Sequence, residues 1–186
     1  EITTRLVGSE MCIRDRFGKL EGVIVTKDIA TSYMDVLDNC VLSKARTQYK
    51  TIAETIDGEV YAGNEHAHFV RGKVVIATSN PEYMADYIED DDLVILGDRE
   101  EAQMQAIRSN ASCIIIGGGL EVAEEVKKLA EKRDCVIITT PFDTFSVARL
   151  INQSMPIKQY MTRRELVTFD SVSYTHLRAH ETRSNL

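Results

Sequence analysis

Residues 113–139 read CIIIGGGLEVAEEVKKLAEKRDCVIIT. Cys113 to Ile116 is an uninterrupted apolar run that stops at three glycines; a helical stretch follows over Glu121 to Lys132, and a second apolar run covers Val136 to Thr139. Continuous β-branched runs, rather than alternating ones, fit strands buried on both faces of a parallel sheet. Strand, helix and strand in this order close a right-handed βαβ unit.

The same alternation extends in both directions. Upstream, Lys73 to Ala77 (KVVIA) and Leu93 to Leu96 (LVIL) predict two more strands. A helix opens at Ser79-Asn80-Pro81 and runs to Ile88, and another covers Glu100 to Arg108. Pro81 suits a first helical turn, with Ser79 or Asn80 as cap. Downstream, Thr144 to Gln153 predicts a fourth helix, and Pro156 breaks it before a new element at Ile157. The expected fold class is α/β: a doubly wound, mostly parallel sheet of four strands with helices on both faces. The expected core includes Val74, Ile76, Val94, Leu96, Ile114, Ile116, Ile137 and Leu150.

Further upstream, Gly18 to Asp28 reads GKLEGVIVTKD, a turn followed by a short buried strand over Val23 to Val25. Ile29 to Leu42 has roughly helical spacing, and Tyr49, Ile52, Ala53 and Ile56 form an amphipathic i, i+3, i+4, i+7 stripe with Thr47 as N-cap. Asp57-Gly58 closes that helix, and Glu59 to Tyr61 reads as a short strand.

Both ends carry the translation of one DNA string. Leu6 to Arg16 is LVGSEMCIRDR and Val172 to Glu181 is VSYTHLRAHE. A single string encodes the first in one direction and the second on its reverse complement, and it resembles an adapter used in sequencing libraries. Residues 1–16 and 171–186 are therefore expected to be adapter-derived and without native structure. The whole chain has 22 basic and 29 acidic residues, net charge -7; the two ends account for five basic and four acidic, leaving 17 and 25, net charge -8, for 17–170. That balance argues against a general nucleic-acid or anionic-membrane surface. No apolar run reaches the ~18 residues of a membrane span. Four Cys without CxxC spacing argue against a disulfide framework and fit a reducing cytosol.

In open parallel sheets ligands lie beyond the carboxyl ends of the strands. Three loops there stand out: Gly97-Asp98-Arg99, Gly117-Gly118-Gly119, and Thr139 to Thr144 (TTPFDT). Glycines just before a helix can present backbone N–H groups to phosphate, although neither a Walker A loop nor GxGxxG is formed. The alternative is a tight turn, with Arg99 paired to a carboxylate. Asp143 reads as the cap of the last helix. His66 and His68 form either a metal pair or a surface loop. Glu89 to Asp92 reads as a solvated acidic loop, and Cys40, Cys113 and Cys135 show no activating neighbour.

These residues carry a resemblance. Gly18 to Asp28 resembles the closing strand of a CBS domain. Asp98-Arg99 and Gly118-Gly119 match the D-R and G-G of the DRTGG motif, with Gly117 where the motif has Thr. Met155 to Asp170 (MPIKQYMTRRELVTFD) resembles the opening of a second CBS domain, and TTPFDTFSVARLINQSMPIKQYMT supports the match. The implied organisation is 1–16 adapter, 17–46 end of the first CBS domain with linker, 47–154 DRTGG domain, 155–170 start of the second CBS domain, and 171–186 adapter. This order is similar to the regulatory insert of family II, manganese-dependent inorganic pyrophosphatases.

The resemblance implies a cytoplasmic full-length enzyme that hydrolyses diphosphate to two phosphates. Its Mn²⁺ or Mg²⁺ ligands sit in DHH and DHHA2 domains; no D-H-H occurs here, so no catalytic residue, metal ligand or cofactor is expected in the segment itself. It further implies adenine nucleotides as effectors, AMP and diadenosine polyphosphates, and a homodimer, with neither nucleic acid nor membrane as partner. Asp28 sits at the ribose-binding carboxylate position and Thr26 near the phosphate position, where Val25 replaces the usual hydroxyl residue. Asp28 as a helix cap is the other reading. Asp98, Arg99, Gly117, Gly118 and Gly119 are the candidate ligand loop of the DRTGG domain. The competing function is the ligand-sensing part of a bacterial transcription regulator that joins DRTGG to a CBS pair.

Overall fold

The computed structural model describes residues 3–7, 10–34, 38–77, 81–84 and 86–161. The chain divides into two units, one of residues 1–30 and 160–186, the other of residues 31–159.

The first unit is built on an antiparallel sheet of β1 (Thr3–Val7), β2 (Glu10–Arg14) and β3 (Leu20–Val25), which leads into α1 (Thr26–Met34). Residues 1–16, expected to be structureless, thus supply two strands. The Asp15 carboxylate accepts from the N–H groups of Phe17 and Lys19 at 2.8 and 2.9 Å, so the expected boundary at 16/17 falls inside the β2–β3 turn. The physical reason is that an open strand edge pairs with any neighbouring chain whose side-chain parity fits. Ile13 supplies the parity and is buried, as is Ile24 on β3. A Cβ on Gly22 would meet Met161 Sδ at 2.7 Å, so glycine there seats Met161 directly on β3. The remainder of the expected second CBS opening, and 171–186, lie outside the described residues.

The second unit begins with α2 (Val41–Lys44), β4 (Thr47–Gln48) and α3 (Tyr49–Thr55). Thr47 is not the cap of α3: it lies in β4, fully buried, and its hydroxyl donates to the Leu42 carbonyl at 3.1 Å. Then come β5 (Glu59–Ala62), β6 (His68–Phe69), which pairs with β4, and β7 (Val74–Ile76). The regular alternation follows: α4 (Pro81–Met84), β8 (Leu93–Leu96), α5 (Glu100–Arg108), β9 (Cys113–Ile116), α6 (Glu124–Lys132), β10 (Val136–Thr139) and α7 (Thr144–Leu150). Helix α4 stops short of Ile88, α6 starts three residues late, and after α7 the chain tightens into a 3₁₀ turn, Ile151–Ser154. The candidate caps Ser79 and Asn80 lie outside the described residues.

The sheet order is β5-β10-β9-β8-β7. The four expected strands are parallel throughout, and β5 adds a fifth strand antiparallel to β10. The fold is α/β with a mixed, mostly parallel five-stranded sheet. Strands that follow one another in space as in sequence, joined by right-handed crossovers, place their connecting helices on one face. On that face Val94, Leu96, Ile114, Ile116 and Ile137 pack with Met84, Ala106, Ile107, Val126 and Ala130. The alternate residues Leu93, Ile95, Ile115 and Ile138 are equally buried. Helices α3 and α7 and the 3₁₀ turn, from before and after the crossovers, cover their face. Each such buried aliphatic side chain contributes about 1.5–3 kcal/mol relative to exposure.

Three expected core residues differ. Ile76 is 49% exposed and Val74 half-buried, because the three-residue β7 is an edge strand. Leu150 is half-buried; Val147 and Ile151 are the pair that α7 and its extension turn inward.

Candidate functional site

The three loops at the carboxyl ends of β8, β9 and β10 come together. After β8, the Gly97 carbonyl accepts from Gln103 Nε2 at 2.9 Å, and Gln103 is buried on α5. Asp98 and Arg99 are exposed, and Arg99 is the extended residue that starts α5.

After β9, Gly117 is buried and a Cβ on it would lie 2.7 Å from the Phe142 carbonyl oxygen. Gly118 and Gly119 have φ of +92° and +66°, where side-chain-bearing residues are strained. The three N–H groups donate inward: Gly117 to Leu96 O at 3.1 Å, Gly118 to Phe142 O at 2.9 Å, Gly119 to Thr140 O at 2.8 Å. Of the two readings, a phosphate cradle or a tight turn, these bonds fit the tight turn. Nor does a helix begin beside them, since α6 opens at Glu124, and its first turn carries Glu124 and Glu125. Helix α5 likewise opens with Glu100 and Glu101. Carboxylates in the first turn already complement the helix dipole and oppose a second anion. The glycines act as a tight turn that joins two loops.

After β10, the fully buried Thr140 hydroxyl donates to the Ile56 carbonyl at 2.5 Å and accepts from Phe142 N–H at 3.2 Å. Asp143 caps α7 as expected: Oδ1 accepts from the N–H groups of Phe145 and Ser146 at 2.9 and 3.0 Å, and Oδ2 from the Ser146 hydroxyl at 2.7 Å. The Ser146 hydroxyl and backbone N–H hold its carboxyl below the usual range.

Asp28 and Thr26 lie in the first unit, at the start of α1. Asp28 is the third helical residue, half-buried, and its Oδ2 accepts from Val25 N–H at 3.0 Å. That is the backward half of a capping box. Thr26, the first helical residue, is exposed.

The other candidates are structural. His66 is in a turn beside Glu65, at 3.3 Å, while His68 pairs with Gln48 across β4 and β6. Among the described residues no three of His, Cys, Asp and Glu cluster as metal ligands, and no metal chemistry is assigned to them. Burial pushes the Cys135 thiol up to about 12 and holds the Cys113 thiol well above its ordinary value. The acidic loop is not wholly solvated: Asp92 is fully buried and accepts from the N–H groups of Lys73 and Glu89, both at 2.9 Å. Sequence reading missed the buried roles of Gln103, Thr140 and Asp92; for Gln103, a polar residue between Ala102 and Met104 was the available signal, whereas Thr140 and Asp92 sit in polar stretches that hide theirs. No helix among the described residues is long and apolar enough to cross a membrane.

The profile of the DRTGG domain matches residues 51–154. The chain belongs to the DRTGG domain family. A crystal structure of the CBS and DRTGG domains of the regulatory region of Clostridium perfringens pyrophosphatase, complexed with its activator diadenosine tetraphosphate, superposes with a TM-score of 0.84 at 35% identity. The match covers 94% of this chain and 77% of that one. The cobalt-dependent inorganic pyrophosphatase of Clostridium perfringens is 36% identical over 174 residues, which is 92% of this chain and 32% of that protein. The probable manganese-dependent inorganic pyrophosphatase of Thermotoga maritima is 29% identical over 146 residues, 78% of this chain and 27% of that protein. The uncharacterized protein YtoI of Bacillus subtilis is 29% identical over 124 residues, 67% of this chain and 28% of that protein. This DRTGG-containing chain therefore spans about a third or less of the length of its curated relatives. Asp98-Arg99 and the glycine turn lie within the matched residues.

Proposed function

We propose that this chain is the adenine-nucleotide-sensing regulatory region of a cytoplasmic, cobalt- or manganese-dependent inorganic pyrophosphatase that works as a homodimer. The observation that carries the reading is the likeness, over 94% of the chain, to a regulatory region solved with diadenosine tetraphosphate. Catalysis belongs to parts of the full-length protein outside this chain, together with the metal ions. In this reading the Asp28 carboxylate, held by Val25 N–H through Oδ2, offers Oδ1 to a ribose hydroxyl, and Thr26 lies beside it. AMP and diadenosine polyphosphates are the effectors.

The test is a titration of the full-length enzyme with diadenosine tetraphosphate and with AMP, following both diphosphate hydrolysis and calorimetric heat. Nucleotide should alter the rate, and Asp28→Ala should weaken binding without abolishing basal hydrolysis. A full-length protein that neither binds nor responds to adenine nucleotides would sink the reading. The competing reading is the ligand-sensing part of a bacterial transcription regulator that joins DRTGG to a CBS pair. A coding sequence upstream that encodes a D-H-H motif discriminates in favour of the enzyme.

A further inference from the structure

The first unit is discontinuous: residues 1–30 and 160–186 belong to it, and the second unit lies between them in the chain. The two stretches meet where Met161 lies over Gly22. A Cβ on Gly22 would stand 2.7 Å from Met161 Sδ, 2.8 Å from its Cγ and 3.1 Å from its Cβ. The φ of Gly22 is not positive, so its backbone conformation does not demand glycine; the close approach does. Gly22 is buried and Met161 is 6% exposed, so the thioether covers the strand against solvent. That strand is β3, which ends at Val25, and the Val25 N–H is the donor that holds Asp28 Oδ2 at 3.0 Å. Val25 lies three residues beyond Gly22, ~10 Å along an extended chain.

We infer that Gly22 and Met161 form the positioning joint of the nucleotide site: their contact fastens the stretch that returns from the second unit to the strand that leads into Asp28. The inference rests on the adenine-nucleotide reading and adds what assembles that site. The two residues are 139 positions apart in sequence, and closing so long a loop is entropically unfavourable unless a folded segment brings its ends together. Methionine suits such a joint, because its unbranched, flexible side chain adapts to an irregular gap. Glycine suits it because backbone without a Cβ lets the thioether come close. Both act through the strand below Asp28, so they are positioning residues. Joint and nucleotide are then linked. Whatever holds Met161 on Gly22 favours the binding arrangement, and bound nucleotide must favour the closed joint by the same factor.

Calorimetry of the full-length enzyme with diadenosine tetraphosphate tests this. Gly22→Ala drives a methyl group into the thioether and should raise the dissociation constant about tenfold. Met161→Ala removes the cover and should also weaken binding. The double change Gly22→Ala with Met161→Ala gives the new methyl group the space the thioether leaves, and should bind several-fold tighter than Gly22→Ala alone. Basal diphosphate hydrolysis should stay unchanged in all three, which separates a displaced joint from general loss of fold. A second measurement needs no substitution, so it decides the question even if Gly22→Ala does not fold. Oxidation of Met161 to the sulfoxide by hydrogen peroxide, followed by mass spectrometry, should slow several-fold when diadenosine tetraphosphate is bound. Met104 and Met155, in the second unit, should oxidise at unchanged rates. Wild-type affinity in Gly22→Ala, a double variant no tighter than the single one, or Met161 oxidation indifferent to nucleotide would each overturn the joint while the sensing function stands. A wild-type enzyme that binds no nucleotide would overturn both.

Discussion

The backbone of Gly117 faces the carbonyl of Phe142 so closely that a Cβ would stand 2.7 Å from its oxygen. Here the neighbouring atom is backbone, so it cannot rotate aside. Gly117→Ala is expected to destabilise the second unit by about 1–3 kcal/mol, the scale of forced overpacking. Urea unfolding checks this, and an unchanged midpoint would show that the Phe142 loop yields freely.

Asp92 is the most consequential of the acidic residues in the 89–92 loop. It is fully buried, and each carboxylate oxygen serves one backbone N–H, from Lys73 and from Glu89. Asp92→Ala leaves two donors without partners at the start of β7 and before β8. The expected loss is about 2–6 kcal/mol, from two orphaned donors at roughly 1–3 kcal/mol each. Asp90→Ala, on the exposed neighbour, serves as control and should change stability far less.

The Asp143 cap gives a pH dependence with a definite sign. Its carboxyl is depressed in the folded chain, chiefly by the Ser146 hydroxyl and then by the Ser146 N–H. A depressed carboxyl contributes stability that is present above its unfolded value, near ~3.9, and lost as pH falls through the lower folded value. The melting-temperature gap between wild type and Asp143→Ala should therefore hold at neutral pH and shrink as the solution is taken below about pH 4. A gap that widens in acid would contradict the assignment.

Nucleotide binding by residues 17–170 alone is expected to be weak. We propose, from the resemblance of Gly18 to Asp28 and of Met155 to Asp170 to CBS segments, that these residues contribute only part of a nucleotide pocket. Asp28 could supply one or two charge-assisted hydrogen bonds, roughly 1.5–3 kcal/mol each before the costs of association. A millimolar complex already needs about -4 kcal/mol net. Calorimetry should give an AMP dissociation constant above ~1 mM. Micromolar binding would mean that the segment holds a complete site.

Most of the sheet was legible because its strands are uninterrupted apolar runs between sharp turns. Leu93–Leu96, Cys113–Ile116 and Val136–Thr139 have the bounds the pattern predicts. The short strand over Glu59 was also legible, but its antiparallel place beside β10 was not, since partner choice depends on contacts across some seventy-five residues rather than on local pattern. The glycine turn was legible as a special backbone. Its direction was not: whether an N–H faces solvent or a neighbouring carbonyl depends on how close Thr140 and Phe142 come. Asp143 was legible as a cap because capping is local, whereas Thr47 had a capping residue's chemistry and was claimed instead by β4 and the Leu42 carbonyl.

The inward-donating glycines have a kinetic consequence. Loops at the ends of strands normally exchange their amide hydrogens with solvent almost as fast as an unfolded chain does. The amides of Gly117, Gly118 and Gly119 are tied to Leu96, Phe142 and Thr140, so each can exchange only when the joint between two loops opens. Three consecutive glycines, nominally the most flexible stretch of the chain, should then exchange as slowly as the strands they follow. Their rates would read out directly how often that end of the sheet comes apart.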